Sequence, residues 1–596
     1  MRKSLLIIGL ASLLMIGANV NAQNTSGGYF DGNARALITN NSFDDTTGNE
    51  GRATGGYTAF DLVIHADRND VLEASAILRV RNEFGGFFGD GVNFEFRQIQ
   101  LKGVIGQKVK YELGDLDVAL SPYTLWNDET DYHEFESEIF GIRRNVLNYE
   151  NFYTDDNTWR MQGVNIHTGL KFDSGIEKLT IRLLGNRVET TDLTTIPDRF
   201  LFGGRLGVVQ SKYFAAGINI ISLSDLGSSI GQSAFNYNNQ SFTTDYAFNY
   251  DVNSDIKVGL NGEAGFSTLR IIQGGTAADG GDSIVEPNDA FFDIGGVFEY
   301  KPFGIKARIA YRRVEAFYNA PGAQTRRIIL DQANPQFTEA IDPAAAAINT
   351  TRTLSLVDRF SQETGLYNSQ VTAGSLSSTD INTVLMAFDP VYGNATPYGL
   401  STPNRKGLSI DVVAEDSAKL YTGHLRFDFL EEIIGENTVD VRDFRVITIG
   451  GRLSVNQLLD IDNAIVIHGG LRTENTTRSG TLPVDLNTTL LDLGLDLEVA
   501  KRLHLLVGFK TLSADGNEFS LQRNAFNTVD PTAQPSQVEE FDLSDNLFAF
   551  GAKYNFTDNA FINVQYSLTD YNKQVIGGVR EEYNLDNFYV VYNQKF

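Results

Sequence analysis

Apolar and polar side chains alternate with a period of two along much of this 596-residue chain, most regularly toward its C-terminal end. Phe548, Phe550, Ala552, Tyr554 and Phe556 alternate with Ala549, Gly551, Lys553 and Asn555. Ile562, Val564, Tyr566 and Leu568 alternate with Asn563, Gln565, Ser567 and Thr569. Leu491, Leu493, Leu495, Leu497 and Val499 stand against Asp492, Gly494, Asp496 and Glu498, and Leu503, Leu505, Val507 and Phe509 against His504, Gly508 and Lys510. In the last ten residues Phe588, Val590, Tyr592 and Phe596 share one parity, which Gln594 alone interrupts, and Asn587, Asn593 and Lys595 fall on the other. Period two predicts strands with one face in each of two media. Such rows recur from Gly28 to Phe596 without a linker or shift of composition, which predicts one continuous all-β domain.

The connections alternate as well. Tight turns are expected at Asp67-Arg68-Asn69, Gly106-Gln107, Asp173-Ser174-Gly175, Ser211-Lys212, Asn253-Ser254, Pro302-Phe303-Gly304, Ala500-Lys501-Arg502 and Thr557-Asp558-Asn559, with longer polar segments between them. Beyond the N-terminal segment no apolar run approaches the roughly 18 to 20 residues of a transmembrane helix. A chain that spans a membrane must then close its sheet, so that every backbone N–H and C=O is paired. The fold expected is a transmembrane antiparallel up-and-down β-barrel with an even strand number of about 18 to 22, short periplasmic turns and long external loops. Two loops stand out: the third, about residues 121–157, and a far longer one at about 320–406. The latter holds Pro335, Pro343 and the run Ala344 to Ala347, which suits a short helix. The first strand, Tyr29 to Thr39, leaves no room for an N-terminal plug.

Composition adds an address. Arg2 and Lys3 precede an apolar run from Leu5 to Ile16, and Val20-Asn21-Ala22 offers a small-residue cleavage site, so residues 1–22 read as a secretory signal peptide and 23–596 as the barrel. There is no cysteine, hence neither a disulfide framework nor a thiolate metal site. The 40 Phe and 24 Tyr suit the aromatic girdles of a barrel. The formal net charge of −26, or −28 without the signal peptide's two cations, argues against nucleic acid as a partner.

The rows opposite the apolar ones carry cations: Arg79, Arg81, Arg97, Lys110, Arg182, Lys306, Arg308, Arg312 and Arg426, with Lys108, Lys178 and His424 beside them. Charge facing lipid is costly, so these face water, where they either set the ion preference of a pore or pair with luminal acids such as Glu95, Glu112, Asp428, Asp492 and Asp496. The third loop is acidic, and Asp128, Asp131, Glu134, Glu136 and Glu138 are the candidates for a pore constriction that favours cations. Asp131 with His133 makes an acid–histidine pair, but residues so closely spaced on a loop form a hydrated rim far more often than a catalytic group. With 6 His and no Cys, no enzyme activity, metal or cofactor is expected. Asn236, Tyr237, Asn238 and Asn239 read as a polar external loop.

Phe588, Val590, Tyr592 and the terminal Phe596 resemble the C-terminal aromatic signature by which bacterial outer-membrane barrels are recognised for assembly. The stretch Asn93 to Gly106 resembles the N-terminal strand–turn motif of phosphate-selective and related trimeric porins: an arginine-bearing strand, here with Arg97, running into a glycine turn. Gln98 and Gln100 stand where a second basic residue is common, so phosphate selectivity is not implied. A bulge near Gln98 accounts for the switch of apolar parity between Phe96 and Ile99. Together these features resemble Gram-negative porin-like outer-membrane barrels. That resemblance implies contact with outer-membrane lipid and lipopolysaccharide, delivery by the barrel-assembly machinery, passive diffusion of small hydrophilic solutes, and compatibility with a homo-oligomer. The competing expectation is a non-conducting accessory barrel of an outer-membrane export or assembly machine.

Overall fold

The computed structural model describes residues 27–45, 50–68, 71–84, 91–127, 136–151, 159–189, 198–226, 235–273, 283–324, 366–367, 385, 387–388, 390–436, 438–519, 538–575 and 579–596. The expected signal peptide and the Ala344 to Ala347 helix lie outside them. The rows seen in the sequence become strands of one antiparallel sheet, each paired with its neighbours in the chain. Three-residue Ser283–Val285 pairs only with the tip of Ile256–Gln273; the other 22 strands form the wall. The first, Gly28–Asp45, pairs with the last, Val579–Lys595, so the sheet has no open edge. At that seam Gly32 and Phe596 exchange both backbone hydrogen bonds, each 3.1 Å, and the Phe596 ring stacks on Phe60 with centroids 5.2 Å apart.

The facing follows the alternation. Phe588, Phe596, Phe548, Phe550, Val564 and Leu568 are exposed on the outer face, whereas Gln565, Asn563, Asn587 and Val591 are buried on the inner one. Exposed apolar rows on strand after strand make a band that only hydrocarbon satisfies, and no helix among the described residues is long and apolar enough to cross a membrane. The longest strand, Val538–Thr557, has 20 residues, about twice the 9 to 11 needed to cross. Its outer row turns polar above Phe548, at Asn546, Ser544 and Asp542, where the strand leaves the lipid.

Seven of the eight tight turns expected from the sequence fall at junctions of consecutive strands, and Asn69 of the eighth, Asp67-Arg68-Asn69, lies outside the described residues. Two further connections on that side were not anticipated: Asp416–Leu420, and the longer link after Asp443–Ser454 that carries the five-residue helix Val455–Leu459. The expected bulge is present. Ile77 pairs with Gln98 but Leu78 with Phe96, so the register steps over Arg97, which is buried on the inner face while Phe96 and Ile99 are both exposed on the outer one. One expectation is corrected: Asn236 to Asn239 belong to the strand Phe235–Asp251, with Tyr237 and Asn239 buried on the inner wall. A polar run read as loop because the inner row of a barrel is itself polar.

Prediction one tests the facing. Phe550→Arg is expected to cost about 2 to 4 kcal/mol of folding free energy near the membrane midplane, while Lys553→Ala on the inner row stays mild. Heat-modifiable migration and denaturant unfolding in lipid of the two variants check this; equal effects reject the assignment.

Candidate functional site

A ring of 22 strands spaced about 4.8 Å apart is roughly 40 Å across between backbones, too wide to be filled by wall side chains. The third loop occupies this space. It connects the strand Val109–Val118 to Trp159–Lys171, and its described parts are residues 119–127 and 136–151. Its described parts touch three separate sectors of the barrel, at the residues set out below.

In the first sector Ser121 Oγ donates to Glu263 Oε1 (2.7 Å) and Tyr123 Oη to Asp293 Oδ2 (2.8 Å), while Arg182 Nη1 donates to the Ala119 carbonyl (3.0 Å). Leu125 packs with Leu116, Met161, Leu184, Leu201, Ile221 and their neighbours in an apolar cluster inside the barrel. The start of the seventh loop joins here: Tyr318 Oη donates to the Tyr123 carbonyl (2.5 Å) and Trp126 N to the Gly322 carbonyl (2.8 Å).

The second sector holds a helix, Glu138–Asn151, that was not anticipated. Ile139, Phe140, Ile142 and Val146 recur on one face and pack against Leu486, Leu490, Leu506, Leu547, Ala549 and Tyr589 of the wall, with Val391 of the seventh loop in the same cluster. The wall is shaped to receive it. Gly494 and Gly508 are cross-strand partners; Gly508 opposes Ala549, and Ala549 opposes Ser567, so four small inward residues lie side by side in one row across the strands. A Cβ on Gly494 would collide with Ser137, and one on Gly508 would come within 2.6 Å of Ile139 and 2.8 Å of Phe140. Beside this trough Glu136 accepts from Lys510 and from Arg144, the latter through Nη2 at 2.6 Å, and Lys510 Nζ also reaches Asp492 Oδ2 at 3.0 Å. Lys510 is 1 % exposed and the Glu136 side chain 2 %. Further along, Lys553 donates to Glu138 Oε1 (2.7 Å) and Arg143 to Asn587 Oδ1 (3.2 Å).

The third sector receives the end of the helix. Tyr149 Oη donates to Asp61 Oδ2 (2.5 Å), Arg79 grips both Asp61 oxygens at 2.7 Å, and Arg97 bridges from Asp61 (3.2 Å) to the Tyr149 carbonyl (2.8 Å). Arg35 and Arg97 each stand 4.9 Å from the Tyr149 ring centre. Burial, with the Asp61 carboxylate beside it, pushes the Tyr149 phenol well above its usual range, so it remains a neutral donor.

The residues singled out in the sequence are distributed as follows. Of the third-loop acids, Asp128, Asp131 and Glu134 lie outside the described residues; Glu136 and Glu138 stand opposite Lys510, Arg144 and Lys553. Among the cations, Arg79 and Arg97 hold Asp61, Arg81 pairs with Glu83 over the Tyr57 ring, and Arg182 donates to Asn165 Oδ1 (3.0 Å). Arg308 pairs with Asp293, Arg426 with Asp428 at 2.8 Å, and Arg312 lies 3.9 Å from Asp428. Lys110 and Lys306 share the inward parity near the short-turn end. Phe588, Val590, Tyr592 and Phe596 form the outer row of the closing strand. The sequence reading missed Asp61, Glu263, Asp293, Tyr123, Tyr149 and the Gly494–Gly508 pair. For the strand residues among them inward parity was the available signal, but parity carries no information on height in the barrel, and Tyr123 and Tyr149 lie outside the strands.

Above this layer the seventh loop is tied to the far wall. Asn394 donates from N to Glu474 Oε1 (2.7 Å) and from Nδ2 to Glu518 Oε2 (2.8 Å), and Arg442 joins Glu432 (2.8 Å) to Glu518 (2.9 Å). Burial would lower the Arg442 pKa, but Glu432, Glu518 and Glu436 around it raise it and keep the guanidinium charged.

No protein-family model matches the chain, and no curated protein matches it by sequence. Solved structures align over most of its length at low identity. The outer-membrane expressed OmpT of Vibrio cholerae has 9% identity, with 97% of this chain and 100% of that one covered and a TM-score of 0.27. The outer membrane protein OprD of Pseudomonas aeruginosa has 9% identity, 95% and 94% coverage and a TM-score of 0.30. A BenF-like porin of Pseudomonas fluorescens Pf-5 has 9% identity, 96% and 99% coverage and a TM-score of 0.34.

Two outcomes are expected of the loop's seating. Gly508→Leu should leave the barrel closed and heat-modifiable but lift Ser137 to Phe140 from the wall, so that protease cuts the third loop of the intact barrel faster than in wild type. Glu136→Gln removes one partner of a buried ion group and should destabilise by about 3 to 5 kcal/mol, read from the unfolding midpoint. An unchanged cleavage rate or midpoint contradicts the respective contact.

Proposed function

We propose that the chain is an outer-membrane, porin-like channel through which small hydrophilic solutes diffuse passively, with the opening set by the third and seventh loops. The supporting observation is that the described parts of the third loop are held against the inner wall by charged and polar contacts in three sectors. A loop fixed in this way narrows a wide barrel without sealing it by a separate domain. On this reading the outer row meets outer-membrane lipid and lipopolysaccharide, and the Phe588 to Phe596 row is the strand presented to the barrel-assembly machinery.

Glu136 and Glu138 are matched by wall cations, so a preference for cations rests on Asp128, Asp131 and Glu134. Wall cations elsewhere are paired or lie in wider, better-screened water, where fields fade over about 8 Å at physiological salt. Replacing Asp128 and Asp131 by Asn and Glu134 by Gln is expected to reduce cation preference in reversal-potential measurements while assembly stays normal.

The second reading, a non-conducting accessory barrel, draws on the apolar clusters built inside the lumen by both loops. Planar-bilayer recording of the purified protein decides between them. Steps of conductance in wild type support the channel; silence in wild type, and after separate deletion of the third and seventh loops, supports the accessory reading.

A further inference from the structure

The closed ring is not equally tall all round. The strands Val92–Ile105, Val109–Val118, Trp159–Lys171 and Lys178–Glu189 share one cross-strand row, Gln100–Gly114–Gly163–Asn186, and among the described residues the ladders on both sides of the middle pair stop there. Above the row the middle pair stays together as far as Val118–Trp159, and each outer strand keeps its other neighbour, up to Asn82–Val92 and to Glu189–Arg199. The row is a hinge built on glycine. Gly114 has φ +97°, and a Cβ there would strike the Ile99 carbonyl; one on Gly163 would strike Asn186 and the Gly185 carbonyl.

Beyond the hinge the tip of this hairpin lies inside the barrel. Leu116 and Val118 are fully enclosed, and with Met161 they pack on Leu184, Leu201, Ile221 and Leu269, on the inner wall of strands farther along the chain. Its departure leaves a notch in the rim between Val92–Ile105 and Lys178–Glu189. The floor of the notch is the outward row of the recessed tip, Asp115, Asp117, Arg160 and Gln162. There Arg160 grips both Asp117 oxygens (3.0 and 3.1 Å), and Asp115 accepts from the Ile99 N–H (2.6 Å). One flank is apolar: Ile99, Phe96 and Phe94 are 56, 64 and 61 % exposed and continue upward the lipid-facing row that begins at Ile105.

The wall below the notch is short. From Val109 to the hinge at Gly114 it has six residues, against the roughly 9 to 11 of a strand that crosses, so the notch opens at the depth of the outer leaflet. Acyl chains alone do not suit a floor that carries two carboxylates and a guanidinium. Water alone leaves three large apolar side chains wet. We propose that the notch seats one lipid of the outer leaflet, with its acyl chain along Ile99, Phe96 and Phe94 and its headgroup on the floor from Asp115 to Gln162. The floor's carboxylates favour a head with N–H or O–H donors. The site belongs to the wall and does not depend on conduction through the lumen.

The test uses the full barrel in nanodiscs of phosphatidylethanolamine mixed equally with phosphatidylcholine, whose head has no donor. p-Benzoylphenylalanine in place of Gln162 should, on illumination, give lipid adducts in which phosphatidylethanolamine predominates, read by mass spectrometry. In place of lipid-facing Leu183 it should give adducts of both lipids, and in place of Asn487, on an outward row above the lipid, none. Phe96→Asn combined with Ile99→Asn should abolish the adduct at Gln162 and leave the one at Leu183. Independently, a cryo-electron-microscopy map of the wild type should show a lipid tail along Ile99, Phe96 and Phe94, and this map stands as the test if the substituted barrels do not assemble. Adducts at Gln162 that join only residues 128–135 or 152–158 of the chain or a second copy, no adduct there at all, or a map with only water in the notch overturns the proposal; equal adducts of the two lipids overturn the selection of the head.

Discussion

A sheet in hydrocarbon cannot keep an edge, and the pairing of Gly28–Asp45 with Val579–Lys595 is the condition on which the rest of this molecule depends. Closure with 22 strands satisfies the backbone but creates a second demand, because it surrounds a space that side chains of the wall cannot fill. The long third and seventh connections meet that demand. A short third loop would leave the inward apolar residues Leu486, Leu490, Leu506 and Leu547 facing water. Ile139, Phe140, Ile142 and Val146, with Val391 of the seventh loop, share one buried cluster with them. The lumen thus has its own core, built from loop and wall.

The charged contacts differ in kind from the apolar ones. Burying Lys510, Glu136, Asp492 and Arg144 together gains little net stability, since desolvation offsets most of the attraction. Their contribution is to register. An apolar helix face can slide along an apolar wall, but Glu136 has one cluster that matches it, and Tyr149 with Asp61 and Arg97 sets the other end of the helix. Between these points the trough of Gly494, Gly508, Ala549 and Ser567 sets the depth. Position, orientation and depth of the helix come from three separate features.

Much of the wall was legible in the sequence because lipid is an unforgiving neighbour: Phe550, Tyr566, Phe588 and Leu493 can face nowhere else, so parity reads directly as facing. Even the bulge at Arg97 was visible, as a switch between Phe96 and Ile99. The interior was far less legible. The inner row mixes polar residues, glycines and leucines, as the misplaced Asn236 to Asn239 illustrate. The pairing of Glu136 with Lys510 spans 374 positions, and nothing in either local context names the other. The helix Glu138–Asn151 was hidden by the acids around it, since its apolar stripe of Ile139, Phe140, Ile142 and Val146 is narrow and its partner surface lies hundreds of residues away.

The same asymmetry bears on how the barrel tolerates change. An outward substitution acts against lipid at one depth, and its cost depends on that depth alone. An inward substitution acts on a network in which some cations serve two partners, as Lys510 serves Glu136 and Asp492, and Arg97 serves Asp61 and the Tyr149 carbonyl. Removing one member leaves the others buried and unmatched, so effects within a sector should not add, whereas effects in different sectors should. The three sectors contact one loop, but each holds it through its own wall strands. Loss of one anchor therefore frees a stretch of the third loop while the remaining two keep the rest against the wall.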